Sequence, residues 1–156
     1  MIIVECDSDT RLVRLLGIPK NKIRHGGHGR GDVLNRLGEV NESIGLIDED
    51  PGVNPPKNKE EYDMILQWGG LSLFKHQKNP SRCFIQISPR LEEWLLSCAK
   101  RSEMNPQDFG FPSSGNELHR INHYEKRPMF EAFVQKLLSR DFEMKKLQEI
   151  FLKELM

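Results

Sequence analysis

Apolar residues along this chain alternate between two spacings. Ile2-Ile3-Val4 is an unbroken β-branched run that ends in Glu5, the pattern of a strand buried on both faces. Leu12, Val13, Leu15 and Leu16 then recur at helical spacing, behind Asp7 or Ser8 as a cap, and Gly17-Ile18-Pro19 stops the helix. Lys22–His25 reads as a short strand. Gly26 to Gly31 is a glycine-rich loop, and Asp32 heads a second helix with Val33, Leu34 and Leu37 inward. Ser43–Ile47 is the next strand, and it runs into Asp48-Glu49-Asp50-Pro51-Gly52. Strand, helix, strand, helix, strand is the order of a parallel sheet with right-handed crossovers, in which functional groups gather where strands end.

The second half is less regular. Residues 53–59, with Pro55-Pro56, read as a loop and Glu60–Trp68 as a helix. Leu71–His76 and Arg82–Ile87 read as strands joined by the turn Lys78-Asn79-Pro80-Ser81. Ser88 and Pro89 open a helix carrying Leu91, Trp94, Leu95 and Cys98. Residues 105–116 are rich in Pro, Gly and Ser and read as a loop. Two closing helices follow, Met129–Leu138 and Asp141–Leu155, the last with Phe142, Leu147, Ile150, Phe151 and Leu155 near one stripe that packs on the core or forms a dimer surface.

With 156 residues the chain suits one domain, 1–156, divided into an acidic-motif core over 1–52 and the remaining strands and helices over 53–156. Hydrophobic residues make up 37% and charged residues 29%, a globular balance rather than a disordered one. Lys+Arg and Asp+Glu both number 23, so bulk charge does not argue for nucleic acid and any such partner must be met locally. Three cysteines without a CxxC fit reduced thiols, not a disulfide framework or a zinc site. The start lacks a signal-peptide pattern and no apolar run is long enough for a membrane span, so the expectation is a cytoplasmic protein with no membrane partner.

The candidate chemistry is acidic. Glu5 and Asp48 each terminate a strand, Asp50 follows two residues later, and Asp9 opens the first helix one turn beyond Glu5. Carboxylates fixed at strand ends suit a hard divalent cation such as Mg²⁺, which takes oxygen ligands and keeps several waters. The loop His25-Gly-Gly-His-Gly-Arg-Gly31 leads into a helix start, so Gly27, Gly29, Arg30 and Gly31 are candidates for a phosphate cradle; no Lys-Ser/Thr follows, which excludes a P-loop. His119 and His123, four apart, form only a weak metal pair because no helix is well supported there. Cys6 and Cys98 have no evident histidine partner. Lys75, His76, Lys78 and Arg82 read as a solvated hairpin, and Trp68 and Trp94 as core.

The segment Ile2–Asp9, with VECDSD at its centre, resembles the first motif of the toprim domain, an apolar strand followed by Glu-Gly-x-x-Asp. Ile44–Gly52, IGLIDEDPG, resembles the second, an apolar strand followed by Asp-x-Asp. Together they cover about the first third of the chain, and Cys6 stands where the family usually has Gly. The resemblance implies a three-layer, Rossmann-like α/β fold, a mostly parallel sheet between helices, with a Mg²⁺ or Mn²⁺ centre. Carried over, it makes Glu5 the general acid or base, with Asp9 beside it, and Asp48 and Asp50 metal ligands with Glu5. Pro89–Leu96, PRLEEWLL, resembles an element of small toprim-related families, which adds a carboxylate from Glu92 or Glu93, with Glu92 as the further metal ligand. The implied function is metal-dependent phosphodiester chemistry on nucleic acid, a small nuclease in or out of a phage-defence complex. The alternative is an inactive toprim-like binding or regulatory subunit, with a protein partner or a second copy of the chain.

Overall fold

The computed structural model describes residues 1–154, and Leu155 of the expected closing stripe lies outside them. Its sheet has six strands: β1 (Ile2–Val4), β2 (Ile23–His25), β3 (Ile44–Asp48), β4 (Tyr62–Trp68), β5 (Leu71–His76) and β6 (Cys83–Ile87). They lie in the order β2-β1-β3-β6-β5-β4. The first four in that order pair in parallel, and β5 and β4 are added antiparallel, so the fold is α/β with a mostly parallel mixed sheet. Six α-helices accompany it: α1 (Asp7–Leu15), α2 (Arg30–Glu39), α3 (Leu91–Arg101), α4 (Gly115–Arg120), α5 (Phe130–Arg140) and α6 (Phe142–Glu154).

Strand alternation divides the core. Ile2, Val4, Ile44, Leu46, Ile85 and Ile87 join one cluster with buried residues of α1, α3, α5 and α6. Ile3, Ile47, Phe74 and Phe84 join a second with Val33, Leu34 and Leu37 of α2. All three residues of β1 are fully buried, which is why that strand is an unbroken apolar run. Gly45 lets α2 approach β3 closely: a Cβ there would meet Val33 Cγ1 at 3.0 Å, Leu37 Cδ1 at 3.1 Å and Phe84 Cβ at 3.2 Å. Phe74 and Phe84 stack at 4.7 Å, and Tyr62 meets Phe84 edge-on at 5.0 Å.

Three expectations are corrected. The expected helix over 60–68 is the edge strand β4, preceded by a 3₁₀ turn at Lys57–Glu61. Met64, Ile65 and Leu66 are about half exposed, because an edge strand has no neighbour on one side. The expected 105–116 loop holds a 3₁₀ turn at Pro106–Phe109 and leads into α4, whose cap is Ser114. Phe142, expected on the packed stripe of the last helix, is 60% exposed, while Leu147, Ile150 and Phe151 are buried as the pattern requires.

A buried polar group locks the far end of the sheet. Glu143 of α6 accepts from Gly70 N–H (2.8 Å), at the turn between β4 and β5, and from Trp94 Nε1 (3.1 Å) of α3, and its other oxygen pairs with Arg101 at 2.8 Å. Gly69 has φ of +55°, and a Cβ on it would collide with the Glu143 carboxylate, so this turn needs glycine on two grounds. Among the described residues no helix is long and apolar enough to cross a membrane.

Candidate metal centre

Parallel pairing puts Val4 opposite Leu46, so β1 and β3 end side by side at their carboxyl ends. Glu5 and Asp48 therefore emerge together, and the Asp48 N–H donates to Glu5 Oε1 at 3.3 Å. The chain then turns. Glu49 N–H donates to Ile87 O (2.8 Å) and Asp50 N–H to Pro89 O (3.0 Å), which clamps the Asp48–Asp50 segment to the β6–α3 connection. Asp50 takes a left-handed conformation, φ +50°, so the segment does not continue extended; Asp48 and Asp50 nonetheless line the same cleft. Glu49 faces away and accepts from Ser88 Oγ (3.2 Å).

The cleft has a volume of about 360 Å³ and is lined by Glu5, Asp48, Asp50 and Glu92, with His119, Tyr124 and Arg90 at its sides. Glu92 accepts a hydrogen bond from or donates to His119 Nδ1 at 2.5 Å, according to protonation. Glu93, the other candidate from that segment, is held by Arg90 in a two-pronged ion pair instead. Asp9 lies behind the cleft rather than on it. It is 3% exposed, and it takes hydrogen bonds from the Cys6 thiol and from the backbone at Glu5 and Cys6.

Burial, followed by the charge of Asp9, pushes the Glu5 carboxyl up to about 8, against the opposing hydrogen bond from the Asp48 backbone. Asp48 is pushed well above the carboxylate range by burial and then by Asp9, Glu5, Glu92 and Asp50 together. Asp9 moves in the same direction, again chiefly by burial. Crowding around the sulfur and then the neighbouring Asp9 push the Cys6 thiol up, away from the thiolate form, although the residue itself reaches solvent.

The donor set is all carboxylate oxygen and fits a hard cation. In the present side-chain positions, however, the cleft carboxylates do not form a closed three-ligand cage. Among the described residues, the group of three whose ligand atoms lie within 4.8 Å of one another is Asp7, His123 and Glu125. A cation in the cleft would thus begin with one or two direct carboxylates and retain waters, as Mg²⁺ commonly does.

The glycine loop adjoins the acidic turn through Arg30. Gly27 and Gly29 have φ of +140° and +154°, and Gly29 rather than Asp32 is the residue before α2. Asp32 reaches back to accept from His28 N–H at 2.7 Å. Arg30 is 9% exposed; its guanidinium donates to Glu49 O (2.6 Å) and Asn54 O (3.1 Å) and stands 3.9 Å from Asp50. It braces the acidic turn instead of projecting to solvent. Gly31 borders a separate groove with Asn35 and Pro56.

Tyr124 and Arg90 are cleft residues that the sequence pattern did not single out, and His119 stands in it only as a metal partner of His123. His119 and His123 do not share a helix face, because α4 stops at Arg120, and each meets a different carboxylate, Glu92 and Glu125. The chain matches no protein-family model, and no curated protein or solved structure gives a significant match.

Proposed function

We propose that the acidic cleft is the centre of a Mg²⁺- or Mn²⁺-dependent phosphodiester reaction on nucleic acid, of the toprim kind, with a small nuclease as the leading form. The observation that carries this reading is the convergence of Glu5 and Asp48 from adjacent parallel strands, joined by the 3.3 Å hydrogen bond, with Asp50 and Glu92 on the same cleft. Four carboxylates facing one space repel each other, and a divalent cation relieves that repulsion.

In this reading Asp48, Asp50 and Glu92 would hold the ion, with Glu5 at its edge. When bound, the ion supplies positive charge against the negative charge that gathers on phosphoryl oxygens during transfer. In the metal-free cleft burial and Asp9 push the Glu5 carboxyl up to about 8, and it stands at the mouth of β1, where its Oε atoms can give or take a proton. Asp9 raises the proton affinity of Glu5 from behind. Arg30 fixes the turn that presents Asp50, and His119 orients Glu92. The loop at Gly27 and Gly29 would meet a substrate phosphate through backbone N–H groups.

The test is cleavage of single- and double-stranded DNA and RNA by the tag-free chain with Mg²⁺, Mn²⁺ or EDTA. Cation-dependent cleavage lost in Asp48→Asn, with the circular-dichroism spectrum unchanged, supports the reading. Two features favour the second reading, an inactive toprim-like subunit of a larger complex: Cys6 at a position the family gives to Gly, and a net charge of zero. Stable association with a partner chain or a second copy, with no hydrolysis under any cation, selects it.

A further inference from the structure

Beside the acidic cleft, and sharing Cys6, Glu92, His119 and Tyr124 with its walls, lies a second cleft of about 270 Å³. Two distant parts of the chain meet at it, the first residue of α1 and the 3₁₀ turn at Tyr124–Lys126 with His123 before it, and His25 at the end of β2 reaches Asp7. We propose that Asp7, His123 and Glu125 form a site for a divalent transition-metal ion, Zn²⁺ or a close relative, separate from the carboxylate centre. The proposal does not rest on the phosphodiester reading.

The geometry is close to what such an ion needs. One ligand atom from each residue lies within 4.8 Å of the other two. Two ligands of a tetrahedral ion held at about 2.0–2.1 Å stand about 3.4 Å apart; His123 Nδ1 and Glu125 Oε1 are 3.2 Å apart. Asp7 is held from the other side by His25 Nε2 at 3.2 Å, and Glu125 by the Ser8 hydroxyl, which donates to Oε2 at 3.3 Å. Partners of this sort orient metal-binding carboxylates.

The charge balance at Glu125 points to a cation here. The Glu125 side chain is 4% exposed, and among the described residues neither lysine nor arginine pairs with it. A buried carboxylate without a permanent positive partner is costly, and His123, half exposed, supplies a charge only when protonated. Between these two ligands, Tyr124 lines the same cleft, buried and with its hydroxyl beside Ser8. An imidazole nitrogen with two carboxylate oxygens suits Zn²⁺, Mn²⁺ or Co²⁺ better than Mg²⁺ or Ca²⁺. Three protein ligands leave a position for water or for an oxygen of a bound molecule, the pattern of a working metal site rather than a structural one.

The experiment is calorimetric titration of the tag-free, EDTA-treated chain with Zn²⁺, together with the visible spectrum of the Co²⁺ form. With excess Mg²⁺ present to fill the acidic cleft, one equivalent of Zn²⁺ should bind, and Co²⁺ should give tetrahedral absorption bands. His123→Gln and the exposed Asp7→Asn should weaken Zn²⁺ by about 100-fold or more, and His25→Gln by roughly 10-fold, at the lower end for an orienting partner. Asp48→Asn should leave Zn²⁺ affinity within about twofold, which separates this site from the acidic cleft. If His123→Gln and Asp7→Asn, both folded by circular dichroism, bind Zn²⁺ as the parent does, the assignment fails. It also fails if the parent takes up no Zn²⁺, in which case His123 and Glu125 are simply an ion pair, or if Asp48→Asn alone abolishes binding.

Discussion

Asp48 at the end of β3 caps α3: its Oδ1 accepts the N–H of Leu91, the first residue of that helix, at 3.1 Å. The residue before the helix, Arg90, makes no side-chain cap of its own, so the cap comes from 43 residues upstream. The same carboxylate therefore holds a helix in place and faces the cleft. Asp48→Ala should cost about 1 kcal/mol more in stability than Asp48→Asn, because the amide retains an oxygen acceptor and alanine does not. Urea denaturation of both variants at pH 5 measures the difference, and equal midpoints would discount the cap.

The acidic cleft should make the metal-free protein weaker in alkali. Glu5 is raised to about 8 from an ordinary value near 4.5, so the folded state holds its proton more tightly than the unfolded chain. The stability this contributes is complete below about pH 4 and is lost as the pH rises to about 8. Denaturation midpoints in EDTA should fall between pH 6 and pH 9, flatten in Glu5→Gln, and recover at pH 9 with millimolar Mg²⁺. A midpoint that rises with pH in EDTA contradicts the account.

The opposite sign holds at the start of α6. Burial alone would raise Asp141, but Arg101 at 2.9 and 3.1 Å, the Cys98 thiol and the Met144 N–H outweigh it and hold the carboxyl below its ordinary range. Its contribution is present above about pH 4 and is lost as the pH falls below that. Asp141→Asn should thus narrow the gap in stability between pH 6 and pH 3, read by acid titration of tryptophan fluorescence.

Much of this was legible in the residues. Ile2-Ile3-Val4-Glu5 and Ile44 to Asp48 announce buried parallel strands ending in acids, and neighbouring parallel strands bring those acids together. Met64-Ile65-Leu66 misled because an edge strand with both faces partly open shows no alternation, and Glu60 and Glu61 before it imitate a helix start. The place of His119 and Tyr124 beside the acidic residues was hidden for a different reason. They reach the cleft only because α4 and the turn after it fold back over α1 and α3, a tertiary relationship with no local spacing. Arg30 was visible as a cation beside glycines, but its inward path to Glu49 and Asn54 is set by the turn it braces.

Gly45→Ala tests the close approach of α2. The added methyl meets Val33, Leu37 and Phe84 together, all buried, so none can swing into solvent. A loss of about 1–3 kcal/mol is expected from the overpacking. An unchanged melting temperature would mean that α2 can back away freely.

Glu143→Ala should cost about 3 kcal/mol or more, since it strands the Gly70 N–H and the Trp94 indole and leaves Arg101 without one of its two acids. Thermal unfolding followed at the tryptophan band reads this directly, and a loss under 1 kcal/mol would deny the network its role.

That network also sets an order on biosynthesis. A ribosome delivers the carboxylates of β1 and β3 within the first fifty residues, yet the acceptor that fastens the β4–β5 turn to Trp94 arrives only at residue 143. Until then the Gly70 N–H and the Trp94 indole have only water as an acceptor, and the half-exposed Met64-Ile65-Leu66 edge is already made. A chain ending before α6 accordingly lacks the acceptor that joins the β4–β5 turn to α3.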